Sequence, residues 1–316
     1  MKRILSSSSS TPVVDLTWLP SVQEVCHPIN LNRPLWVRQT FIESGPPPPQ
    51  PSVPFPERHP YCEWNLNFKG RGVQLIGAEN IKKMPGDLML MGPATPHYAL
   101  FHDYPQKSIT VHFLPTLLFE SGPEGDGARV LARFTAPQAI ANRVIRLPGT
   151  LLKTLTERFE MMSAEFQEQK LGSELRLRAL LLESLVDFMR WEKKVNPSVL
   201  LNRTSVDWAQ IEKTLLYIHK NFAEPLYVKQ IAEVSGLRPS KLQASFREAL
   251  GMSCVQYLRT YRIFHAAALL AAPGARVTGV AFAVGFETFS NFNTSFRSLM
   301  GMSPREYIRS RKENRR

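Results

Sequence analysis

Cysteine is scarce in this sequence of 316 residues: Cys26, Cys62 and Cys254 stand far apart, with no paired spacing. Such a set excludes a disulfide framework and a four-thiolate zinc site, and it fits a reducing compartment. Long apolar runs are missing too. No stretch reaches the roughly 18 apolar residues of a membrane span. The opening Met1-Lys2-Arg3-Ile4-Leu5 runs into serines rather than into a signal-peptide core, and reads as a tail. These absences predict a cytoplasmic protein with no membrane partner. Acidic residues are few at one end. Residues 203–316 hold 17 Lys and Arg against 8 Asp and Glu, a surplus of 17 − 8 = 9 out of a formal net charge of +12. A basic excess gathered in the last third points to a polyanionic partner there.

What the sequence does have is 43% hydrophobic residues, enough for two or three cored domains. Alternation of Leu35, Val37 and Phe41 with polar residues predicts a strand. A proline-rich stretch, 45–60, forbids regular structure and reads as a stiff loop rather than a ligand for a proline-binding partner. Short alternating runs follow at 64–68, 73–75, 87–91 and 109–113, separated by turn signals at Gly70, Pro85-Gly86 and Gly92-Pro93. That pattern predicts a small antiparallel sandwich or barrel.

The run Pro85-Gly86-Asp87 through Pro96-His97 resembles the second motif of the cupins, in which Gly-Asp turns a strand pair and the histidine enters a small barrel. Metal-binding cupins bring a His-x-His pair and a glutamate from an earlier strand. Here Glu57-x-His59 and Glu63 stand instead, one histidine short, so neither a metal nor any other cofactor is expected. His97 then has two readings: a histidine hydrogen-bonded in the barrel mouth, or one member of a small-molecule site. His59, Tyr61, Glu63, Trp64, His97, Tyr98 and His112 supply aromatic faces, hydrogen-bonding groups and one acid, which suits a sugar or similar polyol. Trp64 and Tyr98 read equally as core or interface residues.

Apolar residues at 152, 155, 159, 162 and 166 step by three and four, which predicts a helix over 151–169. After Gly172 a second helix, 174–194, carries leucines over more than half its circumference. Such a helix is buried on more than one side, either wholly within the chain or against its own copy in a homodimer. A composition shift at 196–206 marks a linker.

One stretch occurs twice. Ser240 to Arg259 recurs as Ser290 to Arg309, with Ser, Phe, Arg, Gly, Met, Ser, Tyr and Arg in register. Before each copy lies a helix-turn-helix cadence: Ile231-Ala232 with Gly236, then Val280-Ala281 with Gly285. The offset is 49 in the first helices and 50 in the second, so the second turn has one extra residue. A helix of about 19 residues between the copies would span about 28 Å, close to the roughly 34 Å between successive major grooves. The outward positions are Ser240, Lys241, Gln243, Ala244 and Arg247 in one copy, and Ser290, Asn291, Asn293, Thr294 and Arg297 in the other. Gln243 and Asn291 suit paired hydrogen bonds to adenine, whereas Lys241, Arg247 and Arg297 suit phosphate or guanine.

The motifs Phe246-Arg247 with Gly251-Met252-Ser253, and Gly285-Phe286 with Phe296-Arg297 and Gly301-Met302-Ser303-Pro304, resemble the DNA-binding domain of the AraC/XylS family of bacterial regulators. The resemblance implies that Ser240, Gln243, Ala244 and Arg247 of the first reader, and Asn291 and Thr294 of the second, meet bases and phosphates. It also implies a cupin-like sensor with a helical dimerisation segment ahead of the reader. The expected class is α+β and multidomain. It comprises a tail at 1–30, a cupin-like sensing barrel at 31–120, a helical dimerisation segment at 121–195, the linker, and an all-α unit with two helix-turn-helix motifs at 207–312. The expected function is a ligand-responsive transcription regulator, not an enzyme, of carbohydrate genes. Its partners are double-stranded DNA at two adjacent major grooves, a small-molecule effector such as a sugar, a second copy of the chain, and RNA polymerase if the output is activation. The rivals are a metal-dependent cupin enzyme fused to a DNA-binding domain and an architectural DNA binder.

Overall fold

The computed structural model describes residues 29–31, 33–44, 59–76, 79–93, 95–101, 103–119, 126–135, 143–197 and 206–313. The serine-rich tail to residue 28, the proline-rich stretch to residue 58 and most of the linker lie outside the described residues. Eight strands form the N-terminal half: β1 (Leu35–Ile42), β2 (Cys62–Lys69), β3 (Gly72–Ile76), β4 (Glu79–Lys83), β5 (Asp87–Met91), β6 (His97–Phe101), β7 (Gln106–Phe113) and β8 (Val144–Arg146). They make a five-stranded sheet in the order β1-β7-β2-β5-β8 and a three-stranded sheet in the order β4-β3-β6. The expected closed barrel is therefore corrected to two open antiparallel sheets. The register of β2 on β7 shifts between Asn67 and Lys69, and the chain then enters β3, which pairs with β4 and β6 rather than with β2.

Strand parity sorts the side chains of β2. Cys62, Trp64 and Leu66 enter the main hydrophobic core, and Glu63 and Asn65 face the other way. Two helices cover the apolar face, α2 (Gly149–Glu168) and α3 (Ser173–Val195), after α1 (Asp126–Thr135). The seam foreseen at 155, 159 and 162 is fully buried. Trp64 meets the Phe159 and Phe188 rings at centroid distances of 5.2 and 5.9 Å, tilted toward edge-on geometry, where aromatic pairs add to their burial. Beside α3, Arg133 of α1 donates from Nε to both carboxylate oxygens of Glu192 at 2.9 Å, with both side chains buried.

The C-terminal half is helical: α4 (Trp208–Asn221), α5 (Val228–Ser235), α6 (Pro239–Leu250), α7 (Cys254–Leu270), α8 (Val277–Ala283), α9 (Phe289–Met300) and α10 (Pro304–Glu313). The two turns are built alike. Leu237 N–H donates to Ala232 O in the first and Phe286 N–H to Ala281 O in the second, which preserves the offset of 49 read from the sequence. Ser253 caps α7 in a reciprocal box with Gln256, the residue pair such a box requires. Its 17 residues give a rod of about 26 Å. The hydrophobic core divides unevenly along that rod. The α5–α6 reader and the first turns of α7 are continuous with the core of the N-terminal half, while the α8–α9 reader packs on the far half of α7 in a cluster of its own. Among the described residues no helix is long and apolar enough to cross a membrane.

Candidate nucleic-acid interface and effector site

Each reader buries one face of its second helix and leaves the other in water. In α6, Leu242 and Phe246 are buried while Ser240, Lys241, Ala244 and Arg247 are exposed; in α9, Phe292 and Phe296 are buried while Ser290, Asn291, Thr294 and Arg297 are exposed. Two predicted contacts are placed differently. Gln243 is half-buried, and its Nε2 donates to Cys254 Sγ at 3.1 Å, so its amide is turned toward α7. Asn293 is also half-buried. Thr288 caps α9 by accepting from Asn291 N–H at 3.2 Å, which fixes the start of that helix.

Several contacts holding the readers together carry no motif in the sequence. Arg262 of α7 donates to Phe222 O and Glu224 O, each at 2.7 Å, tying the rod to the loop between α4 and α5. The Tyr227 hydroxyl donates to Glu287 Oε1 at 2.9 Å and so links the first reader to the second. A cleft of about 430 Å³ lies between the readers, lined by Val255 and Arg259 of α7 and by Asn291 and Thr294 of α9. Behind the first reader, His219 Nε2 of α4 lies 2.8 Å from the Tyr257 hydroxyl of α7, and burial pushes the His219 pKa down to about 3, so the pair is neutral.

In the N-terminal half the structure brings four of the seven predicted effector residues to one point. The Nε2 atoms of His59, His97 and His112 lie 3.1, 3.0 and 3.1 Å from Glu63 Oε2. The strand register explains half of this, because Glu63 of β2 stands directly opposite His112 of β7. His97, at the start of β6, arrives from the other sheet. Burial pushes the Glu63 carboxyl up, but the charge of His97 and the hydrogen bonds of His112 and His59 outweigh it and hold the group well below the usual carboxylate range. Burial drives His112 down to about 4, against the pull of Glu63. Lys83 is buried within the field of Glu63 and is lowered to about 8 by its desolvation, a neighbour that sequence reasoning missed and that no spacing rule would flag.

The other three residues lie elsewhere. Trp64 is in the helix-covered core, on the opposite face of β2 from Glu63. Tyr98 is half-exposed on β6, one residue out of phase with His97 and opposite Leu75. Tyr61 is buried against the DNA-reading half: its ring meets Phe264 of α7 edge-on at 5.8 Å, in a cluster with Leu114 and Tyr261.

A sheet-bearing half followed by two helix-turn-helix units on one rod defines a two-part regulator of DNA. Comparison with known proteins agrees. Residues 231–310 match a family model described as a helix-turn-helix domain. The chain is 25% identical over 275 residues to the melibiose operon regulatory protein of Escherichia coli K12, covering 83% of this chain and 86% of that protein. It is 26% identical over 119 residues to the putative HTH-type transcriptional regulator YkgA of the same organism, covering 38% of this chain and 48% of that one. Among solved structures it shares the fold of ToxT from Vibrio cholerae, with a TM-score of 0.54 at 14% identity over 87% of this chain and 96% of that one. The chain is a DNA-binding transcription regulator with a helix-turn-helix domain, and these similarities support the AraC/XylS resemblance carried by its motifs.

Proposed function

We propose that the chain reads a bipartite DNA site with α6 and α9 in adjacent major grooves, and that a small effector in the sheet-bearing half changes how the two readers are held. The observation that carries this reading is the pair of like-built readers on one continuous rod of about 26 Å, near the groove repeat of about 34 Å. Arg247 and Arg297 occupy matching exposed positions and are assigned to phosphates. In binding titrations over a range of salt, on a duplex selected from a randomised pool, Arg247→Ala and Arg297→Ala should each flatten the slope of log affinity against log salt by about 0.9. A loss confined to one base position with an unchanged slope would assign that arginine to guanine, and salt-independent binding would overturn the reading.

The inner face of the β-domain, with Glu63, His59, His97 and His112, supports a polar effector and a cupin-like sensor. The melibiose operon protein's name supports a carbohydrate for this chain; one solved ToxT structure is described as bound to an unsaturated fatty acid, and a lipid is the second class to screen. Leu175 and Val186 of α3 remain exposed, at 74% and 42%, on the side away from the core, which supports a homodimer through that helix. RNA polymerase is a partner if the output is activation, and the cytoplasm is the compartment where this chemistry belongs. No catalytic role is assigned.

A further inference from the structure

We propose that α7 makes a third contact with DNA: Arg259 enters the minor groove between the two major grooves taken by α6 and α9, and selects narrow, A·T-rich sequence there. The inference rests on the two-groove reading and deepens it. On one face of a B-form duplex a minor groove lies between successive major grooves. A rod that reaches from one reader to the next therefore turns one of its own faces to that minor groove. The face can be identified. Val255, Arg259 and Arg262 stand four and three residues apart along α7, so they share one side of the helix, and all three line the cleft between the readers. Asn291 and Thr294, on the exposed side of α9, line the same cleft. The α7 face is thus continuous with the surface of the second reader.

The two arginines on this face differ in what already holds them. Arg262 is half-buried: it donates to Phe222 O and Glu224 O, each at 2.7 Å, and its guanidinium lies 5.9 Å from the centre of the Phe286 ring. Arg259 is exposed and, among the described residues, has no hydrogen bond or ion pair. It is the sixth of the 17 residues of α7, in the stretch that passes between the grooves. The remaining lining favours base edges over a phosphate. Glu287 also stands in the cleft, where it accepts from the Tyr227 hydroxyl, and its carboxylate would repel a phosphate seated beside it. The floor of the minor groove instead offers neutral acceptors, adenine N3 and thymine O2. A·T tracts narrow that groove and strengthen its negative potential, which draws in arginine. A guanidinium is more weakly hydrated than an ammonium, so it gives up its water more readily on entering.

Fluorescence anisotropy with the full-length protein tests this contact on duplexes that keep both selected half-sites and their spacing but carry either an A·T tract or G·C pairs between them. Wild-type protein should bind the A·T spacer at least about fivefold more tightly, the lower end of what one base pair contributes. Arg259→Ala should bind both spacers equally. Arg259→Lys, which keeps the charge, should lose most of the preference while its affinity for the G·C spacer stays near that of wild type. A preference unaltered in Arg259→Ala, including an equal loss of affinity on both spacers, would overturn the proposal and assign the side chain to solvent or to a phosphate. Duplexes with both half-sites scrambled separate this result from the reading on which it rests. Equal binding to selected and scrambled half-sites overturns the two-groove reading, whereas selective binding with no spacer effect overturns the minor-groove contact alone.

Discussion

Gly285→Ala should destabilise the second reader by at least about 3 kcal/mol and abolish high-affinity DNA binding, in a size range that single substitutions reach only through a named structural fault. Two faults combine. Gly285 has φ +87°, a left-handed conformation that costs a residue with a Cβ about 1–2 kcal/mol. A Cβ there would also lie 2.6 Å from Phe222 O and 2.8 Å from Ala223 O, backbone atoms that cannot swing aside. The matching Gly236 of the first reader separates the two effects. It has φ +71° and nothing within 4 Å of an added Cβ, so Gly236→Ala should cost only the conformational part, about 1–2 kcal/mol. Thermal unfolding and fluorescence anisotropy on both variants make the check. Equal losses would mean that the second turn is not seated on the loop after α4.

Removing Arg133 is the second large effect. Arg133→Ala leaves the Glu192 carboxylate facing the core without its partner, and breaking a buried pair in this way costs about 3–5 kcal/mol. Burial already raises the Glu192 pKa despite Arg133, so the orphaned group will take up a proton, which places the loss toward the lower end of that range. Replacing both residues together by methionine should recover most of it, because the pair contributes little beyond a well-packed apolar contact of similar volume. Urea unfolding followed by tryptophan fluorescence would show this. A double variant as unstable as Arg133→Ala would point to Arg133 holding other groups as well.

How far these features could be read in advance differs between the two halves. The doubled reader was legible because its signals are local: Ala232 and Gly236 fix one turn, Ala281 and Gly285 the other, and Phe246 and Phe296 face inward by helical spacing alone. Helix α2 was legible from the steps 155, 159 and 162, and α3 from its leucines after the break at Gly172. The strands were only partly so. Glu63 and Trp64, neighbours in β2, face opposite sides although both read as members of one effector site in the sequence, and which face meets the helices depends on α2 and α3, more than 80 residues downstream. The four-residue cluster was hidden for the same reason. His112 joins Glu63 through strand pairing and His97 joins through sheet packing, and neither leaves a spacing in the sequence. Gln243 read as a free adenine contact because nothing local shows that Cys254, eleven residues on, holds its amide.

The division of the hydrophobic core gives the readers different freedom. The first shares its core with the N-terminal half and the second depends on α7, so a change near Tyr61 and Phe264 is expected to act on their relative placement rather than on either reader alone. Coupling of this kind is a difference in free energy between two arrangements, and it requires that the rod set the distance between the grooves being read. Inserting 5 base pairs between the two halves of a selected site turns one half to the opposite side of the duplex, because half-sites for linked readers lie about 10 base pairs apart. Full-length protein should then lose its preference for that site over random DNA, a fall of about a thousandfold or more. Unchanged affinity for the lengthened site would contradict the reading of two grooves by one rigid pair.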